Sequence, residues 1–178
     1  MTEASHVGDL VTRLALSHPE VSFRFINNGQ VKLHTSGNGN LKDVIYHIYG
    51  REIASNLIEV DFERKGIHIT GYLGKPLISR GNRNFENYFV DGRYIKSSII
   101  SKAIEDGYKD FTMQHKYPFV VLYLDVDTEH VDVNVHPTKM DVRFNNQQEI
   151  YNTLFAAVDD GLHERELIPE VTLDDIKI

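Results

Sequence analysis

The run FVVLYLDV, Phe119 to Val126, limits the fold more than any other stretch, because Asp125 is its only charged residue. A near-continuous apolar run of this length reads as a buried strand at the centre of a sheet. Other strands are recognised by alternation. VSFRFI and VKLHT (Val21–Ile26 and Val31–Thr35) are joined across Asn27–Gln30. LIEVDFE and IHITGYL (Leu57–Glu63 and Ile67–Leu73) are joined across Arg64, Lys65 and Gly66. ENYFV and RYI flank Asp91-Gly92, a strong short hairpin signal. HVDVNV follows a turn at Asp127, Thr128 and Glu129, whereas PLISRGNRNF has no periodicity and reads as a polar, basic loop.

Four segments have helical spacing. Glu3 to Ser17 places Val7, Leu10, Val11 and Leu14 on one face, with Thr2 as a cap and a stop before Pro19. LKDVIYHIY places Leu41, Val44, Ile45, Ile48 and Tyr49 together, between an Asn40 cap and a Gly50 stop. Ser97 to Lys109 carries Ile100, Ala103, Ile104 and Tyr108. Gln147 to Leu162 carries Ile150, Tyr151, Leu154, Phe155 and Val158, with Asn146 and Glu149 as its capping pair. Strands outnumber helices and are mostly linked as hairpins, so the class is α+β.

A chain of 178 residues suggests a single domain, and it contains no cysteine, which excludes disulfides and thiolate metal sites. No apolar run approaches the ~20 residues of a membrane span, and MTEASHVGDL lacks the features of a signal peptide. A cytoplasmic location is expected. The net charge of −7 argues against a protein that coats itself in nucleic acid. Its distribution is uneven. Lys75, Arg80, Arg83, Arg93, Lys96 and Lys102 face only Glu86 and Asp91 in their segment, which is therefore +4 against −11 elsewhere. Such a segment is either a solvated face or an anion-binding surface.

Familiar catalytic patterns are missing. The nine histidines show no HExxH spacing, and DVDTEHVDVNVH has His130 and His136 where a calcium loop needs glycine and glutamate. GYLGKP has Pro76 where a phosphate loop needs a hydroxyl, and SGNGN lacks a full GxGxxG. Ser97, Ser98 and Ser101 belong to a helix start. One interruption stands out. DVNVHPTKMDVRF breaks an alternating strand at His136 and Pro137 and resumes it after Lys139. Proline ends strand pairing and holds the preceding residue extended. Thr138 and Lys139 then sit on a connection anchored at both ends, where a lysine is either a solvent-facing turn residue or a point-charge phosphate binder.

VDVNVHPTKMDVRF resembles the HPxK–EVRF signature of the MutL mismatch-repair proteins, and GKPLISRGNRNFENYFVDGRYIKSSIISKAI resembles the same family's RNxxxFVNGR block. The resemblance runs from EASHV to EIYNTLFAAV. It implies an α+β, ribosomal protein S5 domain 2-like transducer domain over residues 1–162, with a mixed sheet and helices packed on one face. An acidic C-terminal segment, 163–178, would begin a linker. It further implies a role in DNA mismatch repair, completing the ATP site of an adjacent N-terminal GHKL-type ATPase domain. The γ-phosphate contact is then Lys139, on a loop shaped by His136, Pro137 and Thr138. Arg80, Arg83, Arg93 and Lys96 become contacts to double- or single-stranded DNA, weak and without sequence preference. The mismatch-recognition protein MutS and a second copy of the parent protein are implied partners, with no membrane. No metal or cofactor is expected in this segment; ATP and magnesium go with the ATPase domain, so the segment alone is not an enzyme. Two departures from the family pattern are Asp141 in place of glutamate and Gly81 where serine is more frequent. The alternative is a stand-alone RNA- or DNA-binding module of S5-like fold without a nucleotide role.

Overall fold

Three tight turns close the hairpins. Asn28 and Gly29 (φ 52° and 75°) join β1 (Arg24–Asn27) to β2 (Gln30–His34). Lys65 and Gly66 (φ 51° and 78°) join β3 (Leu57–Arg64) to β4 (Ile67–Gly74). Asp91 and Gly92 (φ 48° and 82°) join β5 (Glu86–Val90) to β6 (Arg93–Tyr94). Two consecutive residues at positive φ give the turn whose twist matches the flanking strands. The structure is a computed structural model that describes residues 3–127, 131–132 and 143–166.

The helices begin where short polar side chains satisfy free backbone amides. α1 spans Glu3–Ser17; its expected cap, Thr2, lies outside the described residues. α2 (Leu41–Tyr49) is capped by Asn40, which accepts from the Asp43 amide at 3.2 Å, and it ends at Gly50, φ 93°. α3 (Arg51–Ala54) follows directly and was not expected from the sequence. Ser97 caps α4 (Ser98–Tyr108). β7 (Val120–Val126), β8 (Val131–Asp132) and β9 (Arg143–Phe144) precede α5 (Gln147–Glu166), which Asn146 caps by accepting from the Glu149 amide at 3.2 Å. α5 thus runs past Leu162, where the helical spacing was read to end. Of the acidic C-terminal segment, 167–178 lie outside the described residues, as do Thr128 and Glu129 of the expected turn.

The main sheet has the order β3-β4-β7-β5-β6. All neighbours are antiparallel except β5 and β7, which run parallel. A parallel pair needs a long crossover, and α4 lies within it. β7 is the central strand, as its sequence requires.

The α+β class and the mixed sheet hold, but the helices do not pack on one face. Tyr88, Val90, Val120, Leu122 and Leu124 share a core with α4 and α5. On the opposite face Phe89, Val121 and Tyr123 pack with Leu16 of α1, Leu33 of β2, Val44 and Ile45 of α2 and Ile53 of α3. The reason is β7 itself: both alternating sets of its side chains are apolar, so each face needs cover. Tyr123 ties the second layer down by donating its hydroxyl to the Leu16 carbonyl. The apolar face read on α1 is not buried as a stripe. Val7, Leu10 and Leu14 are 43%, 55% and 40% exposed, and the helix is anchored through Ala15 and Leu16. Among the described residues no helix is long and apolar enough to cross a membrane.

Candidate functional site

Two short strands flank the HPTK segment. β8 and β9 pair antiparallel, with Val131 opposite Phe144 and Asp132 opposite Arg143. Phe144 is buried in the α4–α5 core. Two residues later Asn146 opens α5, and Lys65 of the β3–β4 turn reaches Glu149 of its first turn at 3.1 Å. The ladder is thus joined to the core through Phe144 and the start of α5. His136, Pro137, Thr138 and Lys139, with Asp141, lie outside the described residues.

The basic segment is described in full. Arg93 opens β6 opposite Val90 and is exposed. Its hairpin is tied to the central strand, since Asp91 donates its amide to Leu124 and accepts the Val126 amide on its carboxylate, both at 2.9 Å. Lys96 is exposed one residue beyond buried Ile95. Arg80 is half-buried, its guanidinium 4.7 Å from the Phe85 ring centroid. Arg83 lies 4.7 Å from the Tyr117 centroid and donates from Nε to Glu105 at 2.6 Å. Glu105 holds the guanidinium more firmly protonated than usual. Arg83 and Lys96 line one cleft, together with Arg13 and Lys102; Arg80 and Arg93 are not among its lining residues. Arg83 and Lys96 thus share a cleft, Arg80 and Arg83 share a loop, and Arg93 sits at the β5–β6 turn, so the four candidates do not converge on one point.

Sequence reading passed over Glu86. It begins β5, is only 7% exposed, and neither carboxylate oxygen has a hydrogen-bond partner among the described residues. Burial pushes its carboxyl up to about 8; nearby Glu105 adds to the rise and Arg83 opposes it. The signal was an acid opening a strand, ENYFV, that carries no other charge. The serines of this region do what a helix start needs. Ser97 accepts the Ile100 amide at 3.4 Å, and Ser101 shares a 2.9 Å hydrogen bond with the Tyr88 hydroxyl. Among the described residues no group of three histidines or acids could hold a metal ion.

The comparisons with known proteins agree with one another. The family model described as DNA mismatch repair protein, C-terminal domain, matches residues 45–163. The DNA mismatch repair protein MutL of Agathobacter rectalis is 59% identical over 173 residues, covering 97% of this chain and 26% of that protein. That of Clostridium acetobutylicum is 44% identical over 160 residues, covering 90% and 26%. The chain therefore spans about a quarter of the length of these curated relatives. Among solved structures, the N terminal domain of a DNA repair protein superposes with a TM-score of 0.75 at 21% identity, over 92% of this chain and 54% of that one. The ATPase domain from the bacterial mismatch repair endonuclease MutL of Aquifex aeolicus gives 0.56 at 20% identity, over 86% and 51%. At these identities the structural likeness concerns the fold alone.

Proposed function

The chain belongs to the MutL family of DNA mismatch repair proteins, and from that premise we propose that it is a transducer domain which completes the ATP site of an adjacent GHKL-type ATPase domain through Lys139. The observation that carries this is the β8–β9 ladder under the interrupted strand, with Phe144 sunk in the core. A lysine in a segment that leaves and re-enters such a ladder can be presented to a neighbouring domain while its own domain moves as a unit. Its contact to a γ-phosphate is charge-assisted and lasts only while that phosphate is present, so it couples nucleotide state to domain position. ATP and magnesium belong to the ATPase domain in this reading, and the chain by itself does not hydrolyse ATP. The exposed Val7, Leu10 and Leu14 of α1 offer that domain an apolar surface to close on.

The test joins the chain to its ATPase domain and compares it with Lys139→Ala. A charge-assisted hydrogen bond is worth about 1.5–3 kcal/mol, so turnover should fall roughly 10- to 100-fold. Equal hydrolysis and equal response to nucleotide in the two proteins would remove the sensor role.

The same reading makes Arg80, Arg83, Arg93 and Lys96 sequence-independent DNA phosphate contacts. Arg93 follows a hairpin tied to the central strand, so Arg93→Glu should flatten the dependence of DNA affinity on salt. An unchanged slope takes Arg93 out of the interface. MutS and a second MutL copy are the partners this reading assigns to the whole protein.

A further inference from the structure

We propose that the turn Met113–Lys116 forms a second arm of the DNA surface, in which Lys116 contacts a backbone phosphate and Tyr117 positions Arg83. The proposal rests on the DNA reading above and adds residues that lie outside the basic segment.

Arg80 and Tyr117 form an isolated antiparallel bridge and exchange both backbone hydrogen bonds, Arg80 N to Tyr117 O at 2.7 Å and Tyr117 N to Arg80 O at 2.8 Å. The bridge fixes the arm to the basic loop. Continuing the antiparallel register places Lys116 opposite Gly81. Gly81 is exposed, and a Cβ built on it would meet no atom within 4 Å, so the space beside Lys116 is open. The Lys116 amide donates to the Met113 carbonyl at 3.2 Å and closes the turn, leaving Met113, Gln114, His115 and Lys116 all exposed. Gly81 thus has cations on both sides: Arg80 and Arg83 within its own loop, Lys116 across the bridge.

The aromatic rings account for the orientation of the arginines. Tyr117 lies under the Arg83 guanidinium and Phe85 under that of Arg80. A guanidinium stacked on a ring keeps its in-plane donors available and loses less freedom when it meets a phosphate. Glu105 takes only the Nε donor of Arg83. The ring of Tyr117 is therefore a positioning group, and its hydroxyl is dispensable.

The experiment measures affinity of the full-length protein for a fluorescent duplex of arbitrary sequence across a salt series, with a second duplex and an RNA of equal length as comparisons. Lys116→Gln should weaken binding to both duplexes alike and reduce the slope of log affinity against log salt by about one. Tyr117→Ala should weaken binding, and Tyr117→Phe should retain it, with the unfolding temperature measured for both. An unchanged slope in Lys116→Gln beside a flattened one in Arg93→Glu overturns the second arm and leaves the DNA reading standing. Unchanged slopes in both, or a preference for the RNA, overturn that reading and the arm with it. Loss of binding in Tyr117→Phe equal to that in Tyr117→Ala overturns the positioning role.

Discussion

Gly71→Ala is expected to destabilise the domain by on the order of 4 kcal/mol, a large part of the 5–15 kcal/mol that holds a typical domain together. Gly71 sits inside β4, paired with Val60 on one side and Leu122 on the other. Its φ is +120°, a backbone conformation that side chains rarely adopt. A Cβ there would lie 2.1 Å from the carbonyl oxygen of Val121 and 3.1 Å from the Cα of Leu122. These are backbone atoms of the central strand, which cannot retreat without breaking the ladder between β4 and β7. Strain at φ alone costs about 1–3 kcal/mol, and the lost hydrogen bonds and packing add to it. Gly81→Ala is the control, because its Cβ would meet nothing within 4 Å. Urea midpoints should separate the two variants widely. A Gly71→Ala midpoint matching that of Gly81→Ala would mean that the sheet can relax around the new methyl group, contrary to this reading.

What could be read in the sequence was local. Asn40, Ser97 and Asn146 mark helix starts because each cap acts within three residues of itself, and Asp91-Gly92 marks a hairpin for the same reason. The pairing partners of a strand are not local. The parallel register of β5 on β7, Glu86 opposite Val120, depends on how α4 crosses over. The bridge between Arg80 and Tyr117 joins segments with no pattern in common. The second layer of helices was legible in principle, because Val121 and Tyr123 needed cover as much as Leu122 and Leu124 did. It was missed because the alternation of the hairpin strands suggested one wet face. For the candidate site the balance is reversed. Spacing left Lys139 as either a turn residue or a phosphate binder, and family resemblance chose between them. Glu86 has no motif at all: its oxygens have no partner among the described residues, and Arg83, three residues before it, pairs with Glu105 instead.

Glu86→Met is expected to stabilise the protein, and by a margin that grows with pH. The folded carboxyl titrates at about 8, raised first by burial and then by Glu105, whereas in the unfolded chain it titrates near the ordinary value of 4.5. Between those values the folded protein holds a proton that the unfolded chain has released. Unfolding then becomes easier as pH rises, and the loss is complete once pH exceeds the folded value. Below the ordinary value the carboxyl is neutral in both states and the penalty vanishes. Methionine has a similar volume, no polar atom to desolvate and enough flexibility to fill the site beside Tyr88. The gain at pH 8 should be on the order of 3 kcal/mol, or roughly 6–12 °C in unfolding temperature, and it should shrink towards pH 5. Glu86→Gln separates the two contributions: it should abolish the pH dependence while leaving an amide buried in place of the acid. Arg83→Gln should push the Glu86 carboxyl higher still, since the guanidinium opposes its rise. A gap between Glu86→Met and the parent that stays constant from pH 5 to pH 8 would show that this carboxyl finds water or a partner in the folded state, and that its burial does not control its charge.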